Sequence, residues 1–218
     1  MMVKSVFPGV YKIDGRLATR SIVPGRRAYT EEIARVAGVE YRMWNPYRSK
    51  LAAAILNGLK SFAFEERSSV LYIGAATGTT ASHISDISKE GRIYCIELSE
   101  RNMRELVRVC EDRHNMLPLL ADARYTDQYK ELVDEFDVVY QDASAREQAQ
   151  MLKANSVFLK SGGIAYFVIK SQSVDVSMDP KEVFRRELDQ LKDDFELLQT
   201  VPLEPFDKLH MFCVLRKR

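Results

Sequence analysis

The sequence has few cysteines, no long apolar run and no marked excess of either charge. The three cysteines are far apart and form no C-x-x-C pair: Cys95, Cys110 and Cys213. They support neither a disulfide framework nor a zinc site, so we expect reduced core residues and no metal. No stretch of 18 apolar residues occurs, and charged residues interrupt the N-terminal segment, which lacks the apolar core of a signal peptide. We therefore expect a soluble protein of the cytoplasm with no membrane partner.

The formal net charge is only +1, but it is unevenly distributed. Residues 1–50 carry ten Lys or Arg against four acids, whereas the rest carries 22 bases against 27 acids. A protein that binds nucleic acid unaided usually has a strong overall basic excess, because neutralised phosphates supply most of the affinity. Any RNA or DNA partner is therefore expected to need a second protein to hold it.

The order of predicted elements indicates one α/β domain preceded by a small β-rich segment. Pro-Gly and Asp-Gly dipeptides separate short apolar runs near the N-terminus, which is typical of hairpins. Strand-like and helix-like segments then alternate, which predicts a mostly parallel, doubly wound sheet with helices on both faces. The last two runs, near residues 196–201 and 210–215, are joined by a short turn and should pair antiparallel. We predict a β-rich subdomain over residues 1–45 and a Rossmann-like domain over residues 46–218.

A glycine loop and a following acid form the main binding motif. Gly74 and Gly78 lie between an apolar run and a helix-like segment, and Glu97 ends the next apolar run. The offset of 23 residues from Gly74 to Glu97 is close to that of a carboxylate that binds both ribose hydroxyls. Ala76 stands where dinucleotide sites have a second glycine for the pyrophosphate, so a ligand without phosphates fits better. The loop alone is also compatible with a strand-to-helix turn that binds nothing, but loop and acid together predict an adenosine site.

Two further acids end successive predicted strands, at the sheet edge where such folds bind ligands. Asp122 and Asp142 are each also compatible with a simple helix cap. We assign Glu97 to the ribose, the Asp122 carboxylate to an adenine exocyclic amine, and the Ala123 backbone to the ring edge.

Lys170 ends a very apolar strand and should emerge into the same crevice as Asp142. Partial desolvation or a second cation can lower the pKa of a lysine, so a neutral Lys170 could act as a base. Lys50, at the start of a helix, could be that second cation. Each lysine is equally compatible with a solvated role, and His210 has no chemistry that its spacing alone would indicate.

Five segments together closely resemble the fibrillarin family, specifically its archaeal fibrillarin-like ribose 2′-O-methyltransferases. They are YRMWNPYRSKLAAAI at 41–55, GAATGTTASH at 74–83, DAR at 122–124, GG at 162–163 and LEPF at 203–206. The resemblance extends over essentially all 218 residues. The glycine- and arginine-rich tail of eukaryotic fibrillarin is absent, which favours an archaeal-type protein.

This resemblance implies a class I methyltransferase fold and S-adenosylmethionine as methyl donor. It places the donor against the loop and the strand ends, at Gly74, Ala76, Gly78, Thr79, Thr80, Glu97, Leu98, Asp122, Ala123, Asp142, Ala143, Ser144 and Ala145. It also implies a catalytic tetrad of Lys50, Asp142, Lys170 and His210. Relatives often have Ala-Gln where this chain has Ser144-Ala145, so only backbone contacts to the donor are expected there.

The resemblance further implies work in a box C/D ribonucleoprotein, in which a guide RNA pairs with ribosomal or transfer RNA and selects the nucleotide. A Nop-type scaffold protein and a kink-turn-binding ribosomal-like protein are the implied protein partners, and rRNA and tRNA processing the implied role. Two alternatives stay open: a non-catalytic structural subunit of the same particle, and a nicotinamide-dependent reductase. The four intact tetrad residues count against the first, and Ala76 against the second.

Overall fold

A computed structural model describes residues 2–218 and shows two β-sheets. The N-terminal sheet is antiparallel throughout, with strand order β1-β2-β3-β5-β4. Its strands are β1 (Val3–Phe7), β2 (Val10–Ile13), β3 (Arg16–Arg20), β4 (Ile33–Val36) and β5 (Val39–Met43). The β2–β3 hairpin turns at Asp14-Gly15, where both residues have positive φ, as a tight type I′ turn requires. The predicted hairpins are therefore present.

The second sheet has seven strands in the order β11-β12-β10-β9-β6-β7-β8. They are β6 (Ser69–Ile73), β7 (Arg92–Glu97), β8 (Met116–Leu120), β9 (Phe136–Gln141), β10 (Leu159–Lys170), β11 (Phe195–Pro202) and β12 (His210–Lys217). Strands β8, β7, β6, β9 and β10 are mutually parallel, whereas β12 runs antiparallel to both β10 and β11. The predicted Rossmann-like sheet with an antiparallel last strand is confirmed.

Six helices pack against this sheet in the described chain. They are α1 (Lys50–Leu56), α2 (Thr79–Ile87), α3 (Glu100–Glu111), α4 (Gln148–Asn155), α5 (Ser171–Val174) and α6 (Pro180–Asp189). Side chains cap three of them; the run Asp179-Pro180-Lys181-Glu182 predicts the cap of α6, where Asp179 accepts from the backbone N–H of Lys181. The sequence also predicts a helix over residues 146–158, which was too long: α4 begins only at Gln148 and is followed by a 3-10 turn. Residues 142–147 are instead a loop, and that loop lines the functional cavity.

The sheet is buried on both faces, which explains why its strands are continuous apolar runs. Val138 and Tyr140 pack into the core on the α1 side, whereas Val139 points into a second core on the α4 side. In residues 2–218 no helix is long and apolar enough to span a bilayer.

Buried charges join the N-terminal sheet to helix α2. The fully buried guanidinium of Arg42 lies 2.7 Å from both Glu31 and Asp86, and Arg113 contacts the second oxygen of Asp86 at 2.9 Å. Two carboxylates thus balance two guanidiniums in a site without water access, which is the condition for tolerating buried charge.

Candidate active site

A cavity of about 550 Å³ opens at the carboxyl edge of the seven-stranded sheet, between β6 and β9. Strand order reverses at this point, because β7 and β8 lie to one side and β10 to the other, and such a switch point is where open α/β sheets bind ligands. Its size suits a nucleoside-sized molecule. The lining includes Gly74, Ala76, Glu97, Leu98, Asp122, Ala123, Asp142, Ala143, Ser144, Ala145 and Lys170, all predicted from the sequence. Ser99, Asn102, Arg146, Glu147 and Met151 also line it and were missed.

The glycine loop passes unusually close to the end of β9. A Cβ atom on Gly74 would lie 2.8 Å from the carbonyl oxygen of Asp142 and 2.9 Å from the backbone of Ala143, and Gly74 has φ of +77°. Only glycine meets both conditions. Gly78, with φ of +84°, caps α2 without a side-chain hydrogen bond. The close approach places the loop next to the end of β9, and both line the same cavity.

Three loop residues lie beside the cavity rather than in its lining. Gly78, Thr79 and Thr80 form the first turn of α2 and its cap, and the Thr80 hydroxyl donates to Ser49 Oγ at 3.0 Å. The Thr80 side chain thus ties α2 to the start of α1. Donor contacts at these three positions remain a prediction.

Glu97 is held in place by donors from the glycine loop and from the start of α3. Its Oε2 accepts the Ala76 N–H at 2.8 Å, and its Oε1 accepts the Ser99 N–H at 2.8 Å. The side chain of Asn102 adds a longer contact at 3.4 Å. Oε2 retains a second lone pair, whereas that of Oε1 accepts the long Asn102 contact; the carboxylate is therefore oriented, and a ligand hydroxyl at Oε1 would replace that contact.

Asp122 is already paired within the protein. Both its oxygens accept from the Arg124 guanidinium, at 2.6–3.1 Å. These hydrogen bonds hold the pKa of Asp122 below its ordinary value, outweighing the opposite effect of partial burial. The neighbouring Ala123 carbonyl accepts from Asn155 at 2.8 Å and from Tyr129 at 3.4 Å. A bound ring edge would therefore have to meet the Ala123 N–H rather than its carbonyl.

Asp142 stands between the two predicted lysines. Lys170 Nζ lies 2.9 Å from Oδ1 of Asp142, and Lys50 Nζ lies 3.2 Å from the same carboxylate. Lys170 also donates to the Asp142 carbonyl at 2.9 Å and to Ser144 Oγ at 3.2 Å. Lys170 Nζ thus makes two hydrogen bonds and one close ion-pair contact, to Oδ1 of Asp142. Lys50, Asp142 and Lys170, which are up to 120 positions apart in the chain, therefore form one charged cluster.

The two lysines differ in their surroundings. Burial opposes the charge on Lys50, but the carboxylates of Asp142 and Asp207 outweigh it and raise the Lys50 pKa above its ordinary value. Lys170 lies at the cavity wall and Lys50 does not. The Lys170 backbone is fixed by Gln148, whose side chain accepts its N–H at 3.0 Å and donates to its carbonyl at 3.1 Å. The sequence gives no signal for Gln148, because the contact joins a helix start to a strand end.

His210 joins the cluster through strand pairing and through a second carboxylate. It is the residue directly opposite Lys170 in the antiparallel register of β10 and β12. Its Nδ1 lies 2.6 Å from Oδ1 of Asp207, and Oδ2 of Asp207 lies 3.6 Å from Lys50 Nζ. Asp207 was not predicted, since it lies in an irregular turn without strand or helix periodicity. The four tetrad residues are thus neighbours, with Asp207 linking two of them.

No group of three or more potential metal ligands occurs within residues 2–218. The arrangement combines an acceptor for hydroxyls, a cavity without a P-loop lysine, and a Lys-Asp-Lys cluster at its edge. It can orient a nucleoside and move a proton at one end of the cavity.

Fold and cavity together define a class, the Rossmann-like methyltransferase fold. A precorrin-6y C5,15-methyltransferase from Geobacter metallireducens has this fold at only 13% identity, with a TM-score of 0.54 over 71% of this chain and 81% of its own. Within the class, the chain belongs to the fibrillarin family, whose family model matches residues 1–218.

The similarity to individual fibrillarins covers nearly the whole of each chain. A fibrillarin-like rRNA/tRNA 2′-O-methyltransferase of Pyrococcus abyssi is 47% identical over 98% of this chain and 97% of its own. A crystal structure of Aeropyrum pernix fibrillarin with natively bound S-adenosyl-L-methionine has 46% identity and a TM-score of 0.88 over 95% and 94% of the two chains. A fibrillarin in a fibrillarin/Nop5p complex has 36% identity and a TM-score of 0.90 over 97% and 98%.

Proposed function

We propose that this protein transfers a methyl group from S-adenosylmethionine to the ribose 2′-hydroxyl of nucleotides in rRNA and tRNA. The observation that carries the proposal is the Lys170-Asp142-Lys50 cluster at the edge of a cavity that is also lined by a ribose-type carboxylate, Glu97. Close relatives named as rRNA/tRNA 2′-O-methyltransferases support it. So does the donor bound to the Aeropyrum pernix fibrillarin.

The cavity residues fit this donor. Glu97 is oriented by two backbone amides, so that Oε2 can accept one ribose hydroxyl directly and Oε1 can accept the other in place of the 3.4 Å Asn102 contact. The Ala76 methyl group stands where a pyrophosphate would need glycine, and the donor has no phosphate. The exposed Leu98 supplies an apolar surface for the adenine.

When bound, S-adenosylmethionine supplies an electrophilic methyl group. The 2′-hydroxyl oxygen would form a bond to the methyl carbon as the carbon–sulfur bond breaks and S-adenosylhomocysteine leaves, and the hydroxyl proton would pass to Lys170, which among the described residues is the lysine at the cavity wall. For this step Lys170 must first lose a proton. Asp142 orients Lys170 through the 2.9 Å contact, and Lys50, whose raised pKa keeps it charged, balances Asp142 without competing for the proton. His210 lies beside this cluster, because it is paired with Lys170 between strands β10 and β12.

Positioning should contribute more than proton removal. General-base assistance is worth about 10²- to 10⁴-fold, whereas holding two reactants in line corresponds to effective molarities of about 10⁵–10⁸ M. The contacts behind the two groups support a large positioning contribution. Gln148 holds the backbone of Lys170, and two backbone amides hold the Glu97 carboxylate.

We further propose that the target RNA is selected by a box C/D guide RNA and held by partner proteins, namely a Nop-type scaffold and a kink-turn-binding ribosomal-like protein. The fibrillarin/Nop5p complex supports the scaffold. The net charge of +1 supports the division of labour, since the protein has little basic excess with which to grip RNA alone.

The test is transfer of a labelled methyl group to a guided RNA, with the scaffold proteins present and then withheld. We expect label at the guided 2′-oxygen only when they are present. Transfer without them would contradict the proposed role of partners. No transfer in the complete particle, with S-adenosylhomocysteine still bound, would favour the structural subunit instead. Stabilisation by NAD but not by S-adenosylhomocysteine in a thermal-shift assay would favour a reductase.

A further inference from the structure

We propose that Asp207 is a positioning residue of this active site, which fixes the tautomer of His210 and shares Lys50 with Asp142. The inference rests on the proposed methyltransferase function. Asp207 adds a fifth residue to the cluster: its two carboxylate oxygens face two different members of the predicted tetrad.

The contact with His210 determines where the imidazole proton resides. Nδ1 lies 2.6 Å from Oδ1 of Asp207 in a geometry too bent for a well-directed hydrogen bond. Even off the axis of its lone pair, an unprotonated ring nitrogen carries partial negative charge and would be repelled by a carboxylate oxygen at that separation, so we infer that Nδ1 carries the proton. A neutral imidazole protonated at Nδ1 has Nε2 as a hydrogen-bond acceptor. In the neutral ring, Asp207 thereby leaves Nε2 of His210 as the hydrogen-bond acceptor. His210 is the residue paired with Lys170 across β10 and β12.

The contact with Lys50 determines how the charges of the cluster are divided. Asp142 is within 3.2 Å of two lysines, so it alone would have to balance two ammonium groups. Asp207, at 3.6 Å, gives Lys50 a second counter-ion. It also helps to keep the Lys50 pKa raised. With Lys50 shared in this way, Asp142 is freer to act on Lys170.

The turn that carries Asp207 is anchored to the helix that carries Lys50. The side chain of Asn57, the C-cap of α1, donates to the carbonyls of Pro202 and Glu204 at 2.7 and 2.8 Å. The backbone N–H of Asp207 donates to the carbonyl of the buried Leu203 at 3.0 Å. Asp207 is therefore placed by the same helix whose other end supplies Lys50. It is not part of the cavity lining, so it has no direct role in holding the donor.

The decisive variant is Asp207→Asn, which keeps the size of the side chain and removes its charge. Asparagine offers both an acceptor and a donor to Nδ1, so the His210 tautomer would no longer be fixed by its neighbour. Glu204→Gln is the matched control, because it removes a carboxylate from the same turn at an exposed position with no side-chain partner among the described contacts. Asp207→Glu restores the charge and should restore part of the activity.

Two measurements on the full chain separate positioning from folding. In wild type, ¹⁵N NMR of the labelled histidines, with His210 assigned by the signal lost in His210→Gln, should show Nδ1 protonated and Nε2 as acceptor. In the assembled particle, Asp207→Asn should lower kcat about 10- to 100-fold, the range expected when an orienting partner is lost. Its KM for RNA and its affinity for S-adenosylhomocysteine should change less than about threefold, and Glu204→Gln should match wild type.

The proposal is overturned if wild-type His210 is protonated at Nε2, a result that can be obtained even if Asp207→Asn does not fold. It is also overturned if Asp207→Asn turns over like wild type, or if Glu204→Gln loses as much activity. An inactive wild-type particle would instead contradict the proposed function, and the tautomer measurement would still decide the role of Asp207.

Discussion

Replacing Gly74 by alanine should show how far donor binding depends on the close approach of two loops. The new Cβ would lie 2.8 Å from the Asp142 carbonyl oxygen and 2.9 Å from the Ala143 backbone, where neither neighbour is a flexible side-chain end. The left-handed backbone costs alanine about 1–2 kcal/mol. Relief of the overlap should add about 1–3 kcal/mol, as overpacking does. We therefore expect Gly74→Ala to lower the free energy of unfolding by about 2–5 kcal/mol.

Gly15→Ala is the matched control, because Gly15 has a similar φ of +85° and no atom within 4 Å of the new Cβ. It should lose only the backbone term, about 1–2 kcal/mol in urea unfolding. Gly74→Ala should also weaken S-adenosylhomocysteine binding in calorimetry, since a displaced loop loses the 2.8 Å hydrogen bond from Ala76 to Glu97. A hydrogen bond to a charged group is worth about 1.5–3 kcal/mol, or about 10- to 100-fold in Kd. Equal destabilisation by both substitutions, or unchanged affinity in Gly74→Ala, would refute the reasoning.

Three further predictions concern the ribose acid, the proposed base and a buried histidine. Glu97→Ala should weaken S-adenosylhomocysteine binding at least about 10-fold, because two charge-assisted hydrogen bonds are lost; unchanged affinity by calorimetry would contradict the ribose assignment. Lys170→Ala should abolish methyl transfer but leave donor affinity within a few-fold, and wild-type turnover would remove Lys170 from the mechanism. Burial first, and the charges of Arg42 and Arg113 second, lower the pKa of His83 well below its ordinary value. Below pH 6.5, His83 therefore binds a proton in the unfolded chain but not in the folded one. The free energy of unfolding should fall by about 1.4 kcal/mol for each pH unit below pH 6.5. Urea unfolding of His83→Gln between pH 5 and 7.5 should lack this contribution, and an unchanged slope would count against it.

The sequence indicates the cavity better than it indicates the cluster. Glu97, Asp122 and Asp142 each end a parallel strand, and a parallel sheet brings all such ends to one edge, so their proximity follows from topology alone. Lys50 and His210 come from a helix start and from an antiparallel strand outside this regular series. Their meeting depends on long-range packing, and spacing alone does not predict it; the family resemblance does.

Two features had no signal in the sequence. Asp207 lies in a turn without periodicity, so nothing distinguishes it from a solvated loop acid. The ion pairs of Arg42 with Glu31 and Asp86 join residues up to 44 positions apart, and a charged residue in an alternating strand is ordinarily read as exposed. The predicted start of helix α4 was also imprecise. The helix begins only at Gln148, because residues 142–147 form a loop that lines the cavity.

The pairing of β10 with β12 has a consequence for how the protein folds during its synthesis on the ribosome. The residues that line the cavity lie between positions 73 and 170, so the ribosome synthesises all of them before Asp207 and His210. Until β12 is added, β10 is an edge strand, and an unpaired edge invites pairing with other chains. The newborn chain thus has the parts of a donor pocket before it has a complete reaction centre. Strand β12, which is synthesised last, both pairs with the exposed edge of β10 and brings His210 opposite Lys170.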